Sequence, residues 1–172
     1  PILQANFENA SMKLNFQKDL LPHLLGIVLF YSIVVMYFSP MVFDGKIIFQ
    51  GDILQWEGSA KAVLDHRETT GEQALWTNSM FGGMPGFMIA GEYPFSFISY
   101  VGVALSSILP SPANVIFLLM FGFYILMYTT KQPSWLAILG SLAYAFGTYN
   151  LLFTEAGHLS KILALAYAPV VL

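Results

Sequence analysis

Long stretches without a charged residue alternate with short polar clusters along the chain. Uncharged stretches occupy positions 20–43, 113–130 and 135–153. As helices, each is long enough to cross about 30 Å of hydrocarbon. A fourth opens at Ile162 and reaches Leu172, roughly half a span. Pro22 suits a first helical turn and Pro40 an end, while Gly140 and Gly147 in the third stretch would let another helix approach closely. The pattern predicts an all-α membrane protein, polytopic, with three full transmembrane helices and a truncated fourth. The half-span predicts that the sequence is the N-terminal piece of a longer protein.

The 44–112 connection carries most of the polar residues. Within it, 53–70 has helical spacing: Trp56, Ala60, Val63, Leu64 and Arg67 fall near one face. Glu57 with Lys61, and Lys61 with Asp65, are opposite charges at i, i+4. That predicts an amphipathic helix lying on the membrane surface. The density of Gly and Pro across 76–86 rules out regular helix and predicts a shaped loop. Positions 97–109, between Pro94 and Pro110, are apolar but too few to span; they read as an interfacial or re-entrant helix.

Composition sharpens the class. The 172-residue chain is 56% hydrophobic and 10% charged, where a soluble domain carries roughly 25% charged residues. An aromatic share of 16% and eight Met fit a membrane protein with interfacial Trp and Tyr. Without Cys there is neither a disulfide framework nor a thiolate metal site. A net charge of −3 with no basic cluster excludes nucleic acid as a partner and leaves the lipid bilayer. The polar 1–19 tail precedes an apolar stretch longer than a secretory signal core of roughly 7–15 residues, so that stretch reads as a retained anchor. Lys13 and Lys18 flank the first span and Lys131 follows the second, whereas Lys46, Lys61 and Arg67 are spread along an acidic connection. The positive-inside rule then puts the 1–19 tail in the cytoplasm and the 44–112 loop outside, together with the turn that holds Glu155.

Two polar clusters thus meet on one membrane face: Gly51-Asp52 after the first span, and Thr154-Glu155-Ala156-Gly157-His158-Leu159-Ser160-Lys161 after the third. Ionisable residues at the rim of a bundle are costly unless they bind or react with something. Asp52 has a structural reading, an N-cap with Gln55 as its capping-box partner. It also has a chemical one, a general base that takes a proton from a hydroxyl. Glu155 and His158 share a face if their turn is helical. They read either as a solvated turn closed by Gly157, or as a pair that holds a divalent cation or forms a base and its orienting partner. Lys161 could neutralise a phosphate leaving group. Glu57 is near enough to Asp52 to be an alternative acid and otherwise belongs to a wet helix face. Trp76 and Asn78 could stack on and hydrogen-bond a sugar, or pin their loop to the interface. His23 reads as structural and His66 as solvated. The segment Gly82-Gly83-Met84-Pro85-Gly86 lacks the Gly-Lys-Ser/Thr of a phosphate-binding loop.

Three stretches carry a family likeness: Gly51-Asp52-Ile53-Leu54-Gln55-Trp56, Leu75-Trp76-Thr77-Asn78-Ser79-Met80-Phe81-Gly82-Gly83-Met84-Pro85, and Glu155-Ala156-Gly157-His158. From about Leu20 onward the chain resembles the N-terminal part of a YfhO-like bacterial membrane protein of the Bacteroidetes type, a family placed with the GT-C membrane glycosyltransferases. The resemblance implies transfer of a sugar from a polyprenyl-phosphate donor to a cell-envelope glycan or protein at the outer face of the cytoplasmic (inner) membrane. It implies an essential acid just past the first span, the position of Asp52, and further acids in the second external loop. Glu155 fits the latter loosely, because no Asp-x-Asp pair is present and His158 stands in the neighbourhood. Some branches of that superfamily use a divalent cation and others do not; Glu155 and His158 are the residues that would hold one here. On this likeness Asp52 activates the acceptor hydroxyl and Lys161 steadies the lipid phosphate. Much of such a cavity comes from later helices, so the piece alone is expected to be inactive. Two rival readings are a transporter or flippase for lipid-linked glycans, with Glu155, His158 and Lys161 lining its path, and a non-catalytic membrane subunit.

Overall fold

The computed structural model describes residues 20–92 and 97–172. The orientation argument from Lys13 and Lys18, and the flanking role of Pro94, lie outside the described residues. Those described are mainly helical. The elements run α1 (Leu21–Tyr37), α2 (Ser39–Asp44), α3 (Gly51–Thr70), β1 (Trp76–Thr77), β2 (Met84–Pro85), α4 (Phe87–Ala90), α5 (Phe97–Ser106), α6 (Ala113–Thr129), α7 (Ser134–Ala145), α8 (Thr148–Ala156) and α9 (Leu159–Val171).

Helix α6 is the centre of the bundle. It packs against α9, α7, α1 and α5, and Ile116, Leu119 and Met120 are fully buried. A helix apolar all round belongs in such a place. The start of α1 meets the far end of α6, where His23 Nδ1 lies 2.7 Å from the Tyr124 hydroxyl and the His23 ring stands edge-on to Tyr128. Further along, Tyr31 meets Phe117, so the two helices are antiparallel. His23 is structural, as its position in the sequence suggested. Helix α9 crosses α6 closely: a Cβ on Gly122 would lie 2.1 Å from the carbonyl oxygen of Ala166. The apolar 162–172 stretch is therefore a packed helix, entered at Leu159.

Two expected spans are broken. Among the described residues, no single helix is long and apolar enough to cross a membrane. The first stretch divides at Phe38, because Pro40 has no N–H to continue the ladder and its ring crowds the preceding turn. Helix α1 has 17 residues, a rise of roughly 26 Å. The third stretch divides into α7 and α8, bent by 44°, which pass the length and apolarity requirement only together. Gly147 sits at this break as the residue before α8, with φ −56° and ψ 137°, rather than at a helix crossing. Buried Asn150 donates its side-chain amide to the Tyr144 carbonyl at 2.7 Å, reinforcing an acceptor that the Gly147 N–H reaches only at 3.4 Å. Gly140 does face a neighbour, the Phe123 ring.

The long connection folds back on itself. Strands β1 and β2 pair antiparallel, Trp76 opposite Pro85 and Thr77 opposite Met84. Gly82 and Gly83 between them have positive φ of 75° and 124°, which glycine tolerates. The Trp56–Arg67 face of α3 is met by the chain's own 74–92 segment. Ala60 and Val63 are fully buried, Trp56 Nε1 donates to the Ile89 carbonyl at 2.8 Å, and Arg67 bonds the Ala90 carbonyl and, at 2.6 Å, Glu92. On the outer face Lys61 pairs with Asp65 at 2.9 Å, not with Glu57.

Candidate functional site

Three chain segments converge at one end of the bundle: the first turn of α3, the α8–α9 turn and the α5–α6 turn. Helix α8 ends where Gly157 takes a left-handed conformation, φ 99°, and its N–H returns to the Thr154 carbonyl. That reversal makes His158 the residue before α9. Opposite, α3 opens at Gly51 with Asp52 in its first turn, where a carboxylate complements the positive end of the helix dipole.

The two polar clusters meet here through one pair. His158 Nε2 lies 3.1 Å from Asp52 Oδ2, and both side chains are about half exposed. When Nε2 carries the imidazole proton, it donates to Asp52 and leaves Nδ1 as an acceptor. Asp52 keeps Oδ1 for another partner. The pair can therefore accept a proton from a hydroxyl brought to it, with one member holding the other in orientation.

Several expectations change on this geometry. Asp52 is not the N-cap of α3: Gln50 stands there and no side chain caps the helix, so no capping box forms with Gln55. Instead the Gln50 amide crosses to the Thr154 carbonyl. Glu155 and His158 do not share a helical face, because the left-handed Gly157 intervenes. Glu155 is exposed and makes no hydrogen bond or ion pair among the described residues. Nor do the described residues gather three His, Asp or Glu side chains as a metal cluster. A divalent cation at Glu155 and His158 would have to draw those two together across the turn.

Lys161, one turn into α9, holds its ammonium 3.8 Å above the Phe153 ring and 5.1 Å from that of Tyr149. His158 rests against the same Phe153, ring centres 5.2 Å apart. Phe153 thus contacts both the His158 ring and the Lys161 ammonium on the Asp52 end of α8. Glu57 turns instead to a neighbouring groove of about 510 Å³, lined also by Lys46, Ile48, Ile53, Pro112 and Leu159. Trp76 and Asn78 bond to each other, indole N–H to amide oxygen at 3.1 Å. The indole lies flush on Gly83, where a Cβ would come within 2.7 Å of Nε1. No hydrogen bond or ring contact among the described residues joins Trp76 or Asn78 to Asp52.

Sequence reasoning passed over Gln50, Phe153 and Tyr149. The last two carried a readable signal, aromatic residues at i, i+4 on α8 running into the polar cluster. Gln50 carried none, since its partner lies 104 positions away. Set against protein-family models, curated proteins and solved structures, the chain matches none.

Proposed function

We propose that this chain belongs to a polytopic membrane glycosyltransferase of GT-C type. It moves a sugar from a polyprenyl-phosphate donor to a cell-envelope acceptor at the outer face of a bacterial cytoplasmic membrane. The observation that carries this reading is the Asp52–His158 pair, which joins both polar clusters at one end of an otherwise apolar bundle. The outward apolar surface supports a lipid environment: Val28, Met36, Leu139 and Leu152 are each more than half exposed. With α1 and α2 taken as one broken span and α7 and α8 as another, the Asp52 end faces outside and the 1–19 tail is cytoplasmic.

In the reaction, the acceptor hydroxyl gives its proton to Asp52 Oδ1 while His158 holds Oδ2. The hydroxyl oxygen bonds to the anomeric carbon, and the bond from that carbon to the phosphate oxygen breaks. The departing phosphate takes the electron pair, and Lys161 offsets its charge. The experiment is transfer of radiolabelled sugar from a synthetic polyprenyl-phosphate donor by the full-length protein in proteoliposomes. Transfer from that donor is expected. Movement of the intact glycolipid across the bilayer without transfer would instead favour a flippase.

A further inference from the structure

An exposed carboxylate–imidazole pair is a weak restraint on its own, since solvent screens it and both side chains must be ordered. Asp52 and His158 are both about half exposed, yet belong to segments far apart in the chain. Something else must fix the spacing. Two residues before Asp52, Gln50 forgoes capping its own helix and donates its side-chain amide to the Thr154 carbonyl. That oxygen belongs to the last turn of α8 and also accepts the Gly157 N–H. The amide thus ties the positive end of α3 to the negative end of α8. One residue after Asp52, Ile53 packs under Gly157, where an added Cβ would lie 3.0 Å from Ile53 Cγ1 and 3.2 Å from its backbone nitrogen. Asp52 is therefore bracketed on both sides by contacts to the turn that carries His158.

We infer that Gln50 is a positioning residue: through the Thr154 carbonyl it sets the Asp52 carboxylate against His158. This rests on the proposed role of Asp52 as base. The hydrogen bond requires a donor at position 50, because the atom it meets is a carbonyl oxygen that can only accept. Shape alone does not satisfy it. Gln50→Glu keeps the side-chain shape and turns the donor into an acceptor. Gln50→Lys changes the shape and keeps a donor.

The test uses the full-length protein and two readouts. The first is sugar transfer. Gln50→Glu should lower kcat about tenfold with KM little changed, and Gln50→Lys should restore it to within about threefold of wild type. The second readout needs no activity: the coupling of Asp52 to His158, taken from melting temperatures of Asp52→Asn, His158→Gln and the double variant. This coupling should vanish in a Gln50→Glu background and return with Gln50→Lys. Undiminished kcat and coupling in Gln50→Glu would overturn the inference. So would a folded Gln50→Lys protein as impaired as Gln50→Glu. If the wild type transfers no sugar, the glycosyltransferase reading fails, and the coupling readout still decides the role of Gln50.

Discussion

Asp52 and His158 lie 3.1 Å apart, oxygen to nitrogen, at the meeting of the first turn of α3 and the turn between α8 and α9. In the proposed reaction His158 acts on the acceptor through Asp52, so its loss should cost less than loss of the carboxylate. For His158→Gln we expect transfer to fall by about tenfold, against about a hundredfold or more for the base itself. A His158→Gln loss equal to or larger than that of Asp52→Asn would make the imidazole the base. Parallel rate measurements on the two variants decide this.

Gly157 is required twice, by its positive φ of 99° and by the nearness of Ile53. Replacing it with Ala adds roughly 1 kcal/mol of left-handed strain and a contact that pushes α3 off the α8–α9 turn. We expect Gly157→Ala to melt several degrees lower in detergent and to lose the Asp52–His158 coupling. The relevant measurement is a thermal scan combined with the same double-variant cycle.

Gly122 should tolerate substitution even less. A Cβ there would collide with the Ala166 carbonyl, backbone against backbone, with no flexible side chain to yield. Gly122→Ala must therefore separate α6 from α9, an overpacking cost of about 2 kcal/mol or more. The folded yield after detergent extraction should fall sharply. Gly58→Ala, in open space, should leave it unchanged.

Arg67 holds the folded-back connection to α3 through the Ala90 carbonyl and Glu92. Its planar fork serves two acceptors at once, which a lysine cannot reproduce. Both Arg67→Lys and Arg67→Ala should release the 74–92 segment, seen as several-fold faster cleavage there under limited proteolysis. Asp65→Ala, whose partner Lys61 is exposed, should leave the cleavage rate unchanged.

The apolar pattern located the helices but not their breaks. The 113–130 stretch became the buried α6 almost residue for residue, whereas the equally apolar α1 keeps Val28 and Met36 outward, so apolarity alone did not say which helix is central. The 20–43 and 135–153 stretches were read as single spans, Pro40 as an end and Gly147 as a helix contact, whereas each lies at an interruption. Hydropathy sums over these residues; backbone chemistry does not. The face from Trp56 to Arg67 was legible as apolar, but what covers it depends on how 74–92 folds back, a long-range matter that local spacing cannot carry. In the candidate site, the meeting of the two clusters followed from parallel spans, and the Asp52–His158 pairing is consistent with it. The Gln50 bond was illegible because glutamine before a helix has no spacing rule that names a carbonyl in another helix.

The most direct measurement is the rate of sugar transfer by full-length Asp52→Asn in proteoliposomes, beside wild type and Glu57→Gln. Asparagine fits the same space at a half-exposed site, so folding should be preserved. The account predicts a fall of at least a hundredfold in Asp52→Asn, with Glu57→Gln close to wild type because Glu57 faces the neighbouring groove. A folded Asp52→Asn protein that transfers sugar at the wild-type rate would contradict it.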